Sequence, residues 1–335
     1  MNSNRWRSRI DIENLKSEMY AGGLLIDKDA GMTSHDVVAR LRRLADQRDI
    51  GHTGTLDPLA TGLLVCLLGR ATKIAPFLTL HDKGYRCGAR LGIETDTYDA
   101  DGRVTAVSDA IPTERSAVER ALAGLAGEYD QTPPPYSAVK VAGKRLYKYA
   151  LRNQQVELPR RRVTIHSLRL TEFNPPHLTF ECHVSSGAYV RSLCHDLGRA
   201  LGCGAHVVSL RRTFAGPLRV EEAARLENLA AAGPGGLAAR LMPIAALLPE
   251  LPCLRATDRA VARLIHGNAC GSEDFAPFAP EQTSGRPLLI VSESGEAIAL
   301  AEAAPLRETP AGRSRAAAPA GRFEIKPTRL LKLPD

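Results

Sequence analysis

Residues Gly51 to Leu68 read GHTGTLDPLATGLLVCLL, with one carboxylate, Asp57, set among Gly51, Gly54, Gly62 and Pro58. Glycine frees a backbone to turn sharply and lets a ligand approach the main chain closely. The proline after Asp57 biases the aspartate toward extended backbone. Aspartate followed by proline is also a common helix start, with Asp as the cap and Pro at the first helical position. On local spacing alone a helix is expected to begin here. The glycine spacing is not that of a P-loop, because GxxxxGK[ST] is missing, and this argues against nucleoside triphosphate chemistry. The apolar run from Leu59 to Leu68 is interrupted by Thr61 and Gly62, and it falls short of the ~18 residues a membrane span needs.

Outward from this stretch the patterning is mixed. Gly22 to Asp27 reads as a strand, and Ser34 or His35 starts a helix with Val37, Val38, Leu41 and Leu44 at helical spacing. Tyr85–Leu91, Val163–Leu170 and Leu178–Ser185 read as strands; Ser116–Leu125 and Val190–Leu201 read as helices. In the last of these, Val190, Leu193, Cys194, Leu197 and Leu201 form an apolar stripe. Arg191, His195 and Arg199 share another face, which predicts an exposed Arg191. Strands and helices without a regular βαβ rhythm predict an α+β fold with a mixed, largely antiparallel sheet and flanking helices.

The pattern breaks at Ala230–Gly236 (AAAGPGG), where a connector is expected. The short strand candidates Pro287–Val291, Ala297–Ala301 and Arg322–Ile325 predict a small β-rich C-terminal module, with a flexible low-complexity insertion at about 305–321. The chain thus divides into a polar extension at 1–20, a main domain at 21–245 and a module at 250–335.

The 335 residues carry a formal charge of +7 and are 44% hydrophobic, which excludes wholesale disorder. Charge is concentrated rather than spread. Between Lys140 and Arg169 lie nine basic residues against the single acid Glu157, interleaved with Tyr147 and Tyr149 and preceded by Pro133–Pro135 and Tyr136. Basic side chains neutralise phosphates and tyrosines stack on bases, so this stretch at about 130–162 suits unpaired RNA; a merely solvated basic face is the competing reading. No helix-turn-helix or zinc-finger pattern points to DNA. No secretory signal is recognisable at the N-terminus, and the seven cysteines, an odd number without scaffold spacing, read as reduced thiols in a cytoplasm.

The quoted stretch closely resembles the catalytic motif of the TruB-type tRNA pseudouridine synthases, GHxGxLDPxAxGxL. Other segments follow in the family's order. Leu24–Lys28 with Gly31 and Ser34 looks like its first motif, and Tyr85-Arg86 with Leu91-Gly92 and Thr95 to Gly102 like its second. Tyr136–Lys140, Gly143–Tyr147, Ser186–Arg191, Asp196–Gly198 and Gly202–His206 with Leu210–Arg212 match further segments. The resemblance covers roughly residues 22–215 and implies the pseudouridine synthase fold. It also implies a PUA-like RNA-binding C-terminal module, where Ile265–Asn268 looks like the family's (I/R)xxGN element.

The family isomerises uridine at position 55, in the T-loop of tRNA, without metal or organic cofactor. By resemblance Asp57 is the catalytic carboxylate, Tyr85 stacks on the target base, and Arg191 pairs with Asp57. His52, Lys28, Asp99, Tyr189 and Leu210 contact or position the substrate, and Lys140, Lys144 and Arg145 belong to an arm that grips RNA. A carboxylate suits the oxocarbenium-like sugar of a breaking N1–C1′ bond. The chain departs from the family where Lys28-Asp29-Ala30-Gly31 replaces Lys-Pro-x-Gly, which predicts a looser turn. Ser186 and Ala188 stand where Lys and Thr are usual, which predicts one phosphate contact fewer.

Cys182-His183, Cys194-His195, Cys203 and His206 lack CxxC spacing and predict no metal centre. The expected partner is tRNA, bound by a cytoplasmic monomer without DNA, membrane, protein partner or guide RNA. A tRNA-folding chaperone and a guide-RNA-dependent relative are the competing functions. An Asp57→Asn variant separates the first from the enzyme, and activity of the purified chain alone separates the second.

Overall fold

The chain is described by a computed structural model over residues 20–137, 139–141, 143–146, 149, 154, 156, 158–278, 286–305 and 323–332. Residues 1–19, Tyr147, Lys148, Arg152 and 306–322 lie outside the described residues, and with them the extension and most of the predicted insertion.

The strands are β1 (Gly22–Lys28), β2 (Ile50–His52), β3 (Thr61–Leu68), β4 (Lys83–Leu91), β5 (Ile93–Thr95), β6 (Val104–Val107), β7 (Gly127–Gln131), β8 (Lys140–Val141), β9 (Lys144–Arg145), β10 (Arg161–Asn174), β11 (His177–Val184), β12 (Ala205–Ala215) and β13 (Leu218–Arg219). Nine of them form one sheet in the order β1-β3-β12-β4-β11-β10-β7, with β2 beside β3 and β13 beside β12. Every pairing is antiparallel except β3 with β12. Helices α1 (Ser34–Ala45), α2 (Ala75–Thr79), α3 (Arg115–Gly124), α4 (Val190–Ala200), α5 (Leu226–Arg240) and α6 (Ile244–Leu247) flank it.

The quoted stretch explains this architecture. Its apolar half is β3, and all but its first residue are buried. Leu64, Cys66 and Leu68 join the core beneath α1 and α4, whereas Leu63, Val65 and Leu67 belong to a second core on the other face. A strand covered on both sides reads as a continuous apolar run instead of an alternation. At its start Gly62 takes φ +93, and a Cβ there would collide with the backbone of Arg212 in β12. Only glycine lets the two strands come this close.

The second core is completed by the C-terminal module. Its strands β14 (Cys253–Arg255), β15 (Cys270–Gly271), β16 (Leu288–Val291), β17 (Ala297–Pro305) and β18 (Phe323–Leu330) pair in the order β14-β16-β17-β18-β15, with α7 (Asp258–Leu264) packed on them. Leu289, Val291, Leu300 and Leu331 belong to the same apolar cluster as Leu63, Val65 and Leu67. Lys73 donates from Nζ to the Leu330 carbonyl at 2.8 Å, and Arg329 donates back to the Lys73 carbonyl. Strands β17 and β18 run longer than their sequence patterns.

Two expectations are corrected. Residues Ala230–Gly236 are no connector between domains; they lie within α5, which kinks where Gly233 takes φ +62 before Pro234. Alanine-rich sequence sustains the helix on either side. No helix begins at Asp57 either: the chain turns, with Ala60 N donating to the Asp57 carbonyl at 3.0 Å, and enters β3.

Candidate active site

The loop carrying Asp57 is clamped on both sides by the first motif. Ser34, at the start of α1, donates from Oγ to the Leu56 carbonyl at 3.1 Å and accepts from Leu56 N at 2.8 Å. The Pro58 carbonyl accepts from Gly31 N at 2.8 Å and from Lys28 Nζ at 3.3 Å. The Lys28 ammonium also donates to the carbonyls of Asp29 (2.9 Å) and Met32 (2.6 Å). Lys28 is 1% exposed, so it is no surface lysine, and burial pushes its ammonium below the ordinary value. The turn that lacks the family's proline is held closed by these bonds instead. Carbonyls committed in this way cannot serve a helix, which is why the local Asp-Pro pattern does not start one.

Arg191, the second residue of α4, reaches the carboxylate from the opposite side. Its Nη2 donates to Asp57 Oδ1 at 3.1 Å, and its Nε lies 2.9 Å from Oδ2. The remaining fork positions are taken by the carbonyls of Thr97 (2.9 Å) and Tyr136 (3.1 Å) and by Asp99 Oδ2 (3.3 Å). The side chain is 7% exposed, which corrects the exposed arginine predicted from helical periodicity. Segments distant in sequence, around Thr97 and Tyr136, cover that face of α4. Tyr98 takes φ +64, an uncommon conformation for a tyrosine, and its ring stacks on His195 at 4.0 Å.

Asp99 stands behind Arg191. It is buried and accepts from Thr97 Oγ1 (2.5 Å) and, closing an Asx-turn, from Asp101 N (3.2 Å). Gln131 fixes the start of α4, accepting from Tyr189 N at 2.7 Å and donating to the Tyr189 carbonyl at 3.1 Å.

Asp57, Tyr85, Tyr189, Arg191 and Leu210 line one cleft of 470 Å³, together with Tyr136, Ser137, Lys83 and Arg212. Its size is that of a small-molecule site. Burial pushes the phenol of Tyr85 above its ordinary value, with Arg212 opposing, so its hydroxyl keeps its proton at neutral pH. His52 is not among the lining residues. Its half-buried ring accepts from Gly54 N through Nδ1 (3.3 Å), which fixes the Nε2–H tautomer, and burial lowers its basicity. Lys140, Lys144 and Arg145 lie on the β8–β9 hairpin around Gly143, close in sequence to the cleft-lining Tyr136 and Ser137.

Two cations lacked a role on sequence grounds. Arg212 is 3% exposed and donates to the carbonyls of Leu63 (2.6 Å) and Gly54 (3.0 Å). Strand alternation could have found it, for Leu210 and Arg212 share one face of β12. Lys83 donates to the carbonyls of Thr79 (3.0 Å) and His81 (2.6 Å), and burial, with Arg212 second, pushes its pKa down to about 8. A lysine depressed on folding carries a penalty at neutral pH that is relieved as pH rises from about 8 toward its unfolded value of 10.5. The unfolding free energy of the wild type relative to Lys83→Met is therefore expected to be flat below about pH 8 and to rise above it, as denaturant titrations across that range would show.

The chain matches the TruB family pseudouridylate synthase model for the N-terminal domain over residues 42–190, and that for the tRNA pseudouridylate synthase B C-terminal domain over 191–248. It is 43% identical to the tRNA pseudouridine synthase B of Syntrophotalea carbinolica, covering 85% of this chain and 93% of that protein. This chain belongs to the TruB family. It is a pseudouridine synthase. Burkholderia mallei has a further tRNA pseudouridine synthase B that is 44% identical, covering 79% of this chain and 87% of that protein. In Symbiobacterium thermophilum the identity is 45%, covering 77% and 85%. The TruB-family fold resembles a chain of a Cbf5–Nop10–Gar1 complex (TM-score 0.69, 24% identity, 93% of this chain and 85% of that one). It also resembles a chain of an H/ACA particle bound to a substrate RNA (TM-score 0.63, 24% identity, covering 84% and 77%). The boundary between the two matched family models falls inside the nine-stranded sheet, at the start of α4. Among the described residues no helix is long and apolar enough to cross a membrane.

Proposed function

We propose that the chain isomerises a uridine of tRNA to pseudouridine at position 55 of the T-loop, with Asp57 as the carboxylate that meets the reacting nucleoside. The observation that carries this reading is the convergence of Asp57, Tyr85 and Arg191 on one cleft. The N1–C1′ bond breaks, the uracil turns, C5 joins C1′, C5 gives up its proton and N1 ends protonated. Nothing is gained or lost overall, so the reaction consumes no oxidant, reductant or co-substrate. Asp57 faces the electron-poor sugar, Arg191 holds the carboxylate in place, and Tyr85 and Leu210 bracket the base.

A stacked uridine cannot reach a recessed carboxylate, so the nucleotide is extruded, at a cost of a few kcal/mol recovered from pocket and backbone contacts. The arm at about 130–162 supplies part of that recovery by closing on the loop, and the module at 250–335 acts as a PUA-like RNA-binding domain. Replacing Lys144, Arg145 and Lys148 together with Ala is expected to weaken tRNA binding and to reduce the slope of log affinity against log salt by about 2–3. Filter binding at several salt concentrations reads this out, and an unchanged slope removes the arm from the account.

The purified chain, with no guide RNA or protein partner, is expected to form pseudouridine at position 55 of an unmodified tRNA transcript. Position-resolved detection tests this. A requirement for added RNA or protein, or product at other positions only, would contradict it.

A further inference from the structure

On the face of the sheet opposite the Asp57 cleft, three side chains converge that the isomerisation does not use. Asp82, just before β4, sets its Oδ2 3.0 Å from Nε2 of His166 in β10 and 3.6 Å from Nε2 of His183 in β11. One ligand atom from each of the three residues lies within 4.8 Å of the others. We propose that Asp82, His166 and His183 form a site for a transition dication of the zinc class, completed by water.

Two imidazoles and one carboxylate are borderline donors of the kind zinc takes, and three protein ligands with an open position make a recognised arrangement. Bonds of about 2.0–2.1 Å at tetrahedral angles place ligand atoms about 3.3 Å apart. The two distances to Asp82 bracket that value. All three side chains are between a third and a half exposed, so an ion can enter from solution.

The backbone presents these ligands by design of the sheet. Between β10 and β11 the register shifts from Ile165↔Val184 to Ser167↔His183, which leaves His166 as the extra residue of a bulge. Bulges re-aim side chains, and this one brings the His166 ring to 4.5 Å from that of His183. Phe214 braces the outer side, edge-on to His183 at 5.1 Å, with Arg219 4.6 Å over its own ring. Gly84 makes room for Phe214, since a Cβ there would collide with the ring. The Asp82 carbonyl accepts from Gly216 N at 2.8 Å, which holds the turn. Cys182, next to His183, points to the opposite face into the core and takes no part.

An ion here would join the returning end of the arm, where β10 begins, to the strand that carries Lys83 and Tyr85. An exposed His–Asp contact by itself contributes little to stability. A bound metal would stabilise the folded chain by mass action.

The test uses the full chain stripped with a chelator and titrated with zinc chloride by calorimetry, with zinc per chain measured after dialysis. Wild type is expected to hold one zinc and to melt higher with it. His166→Ala and His183→Ala are each expected to weaken binding at least ~10-fold, the lower bound even for losing a partner outside the ligand set. Cys253→Ser, which removes the one exposed cysteine, is expected to bind as the wild type does. Melting of the variants in chelator at the wild-type temperature shows that they fold, and the Gln variants serve where Ala does not. No saturable binding, binding indifferent to both histidines, or binding lost with Cys253 would each overturn the proposal.

Discussion

Asp57→Asn is expected to lower the single-turnover rate of pseudouridine formation by about 10⁴-fold or more, the scale on which losing one member of a catalytic unit is felt. The change removes charge and little else. Asparagine keeps one oxygen facing Arg191 but turns its NH2 toward the other donor; the side chain of Asp57 is 38% exposed and Arg191 keeps Asp99, so a stability loss of about 1–2 kcal/mol is expected. Affinity for tRNA is set mainly by phosphate contacts and is expected to stay within roughly threefold. A variant that still isomerises uridine at near the wild-type rate would remove Asp57 from the chemistry. A variant that no longer binds tRNA would make it a recognition residue.

Arg191→Ala is expected to damage both the fold and the reaction. It strips the donors from Asp57, from Asp99 and from the carbonyls of Thr97 and Tyr136. Breaking a buried pair from one side costs about 3–5 kcal/mol. The share from partly exposed Asp57 is screened, so a loss near ~3 kcal/mol is expected, a drop in melting temperature of about 4–6 °C. The double variant Arg191→Ala, Asp99→Asn separates the two roles. It removes the stranded buried charge, so it is expected to regain part of the stability and none of the activity. Recovery of activity in the double variant would show that Arg191 acts only through the fold.

The legible parts of the structure were those written in one segment. The β3 run, the α1 and α4 stripes, β4 and the strands on either side of Pro176 carry their own periodicity, and Asp57 is conspicuous as a lone carboxylate among glycines. What failed locally was decided by contacts from elsewhere. The Asp57-Pro58 helix start is overruled by Ser34, Gly31 and Lys28, which take the flanking backbone groups. Arg191 sits off the apolar stripe of α4, yet the loops at Thr97 and Tyr136 bury it. A seven-residue break of Ala, Gly and Pro looks like a linker because spacing cannot distinguish a kink from an end. Arg212 was hidden beside Arg211: the one turns inward to Gly54 and Leu63, the other outward to Asp27 at 2.8 Å, and composition does not say which. The trio of Asp82, His166 and His183 exists only after the sheet pairs and β10 bulges.

The most direct test of the central claim is an experimental structure of the Asp57→Asn chain with a T-stem-loop RNA bound. The account predicts the target uridine turned out of its loop into the 470 Å³ cleft, its base between Tyr85 and Leu210 and its C1′ within about 3.5 Å of the residue 57 side chain, a near-attack distance. A uridine still stacked in its loop, with that cleft holding no nucleotide, would contradict it.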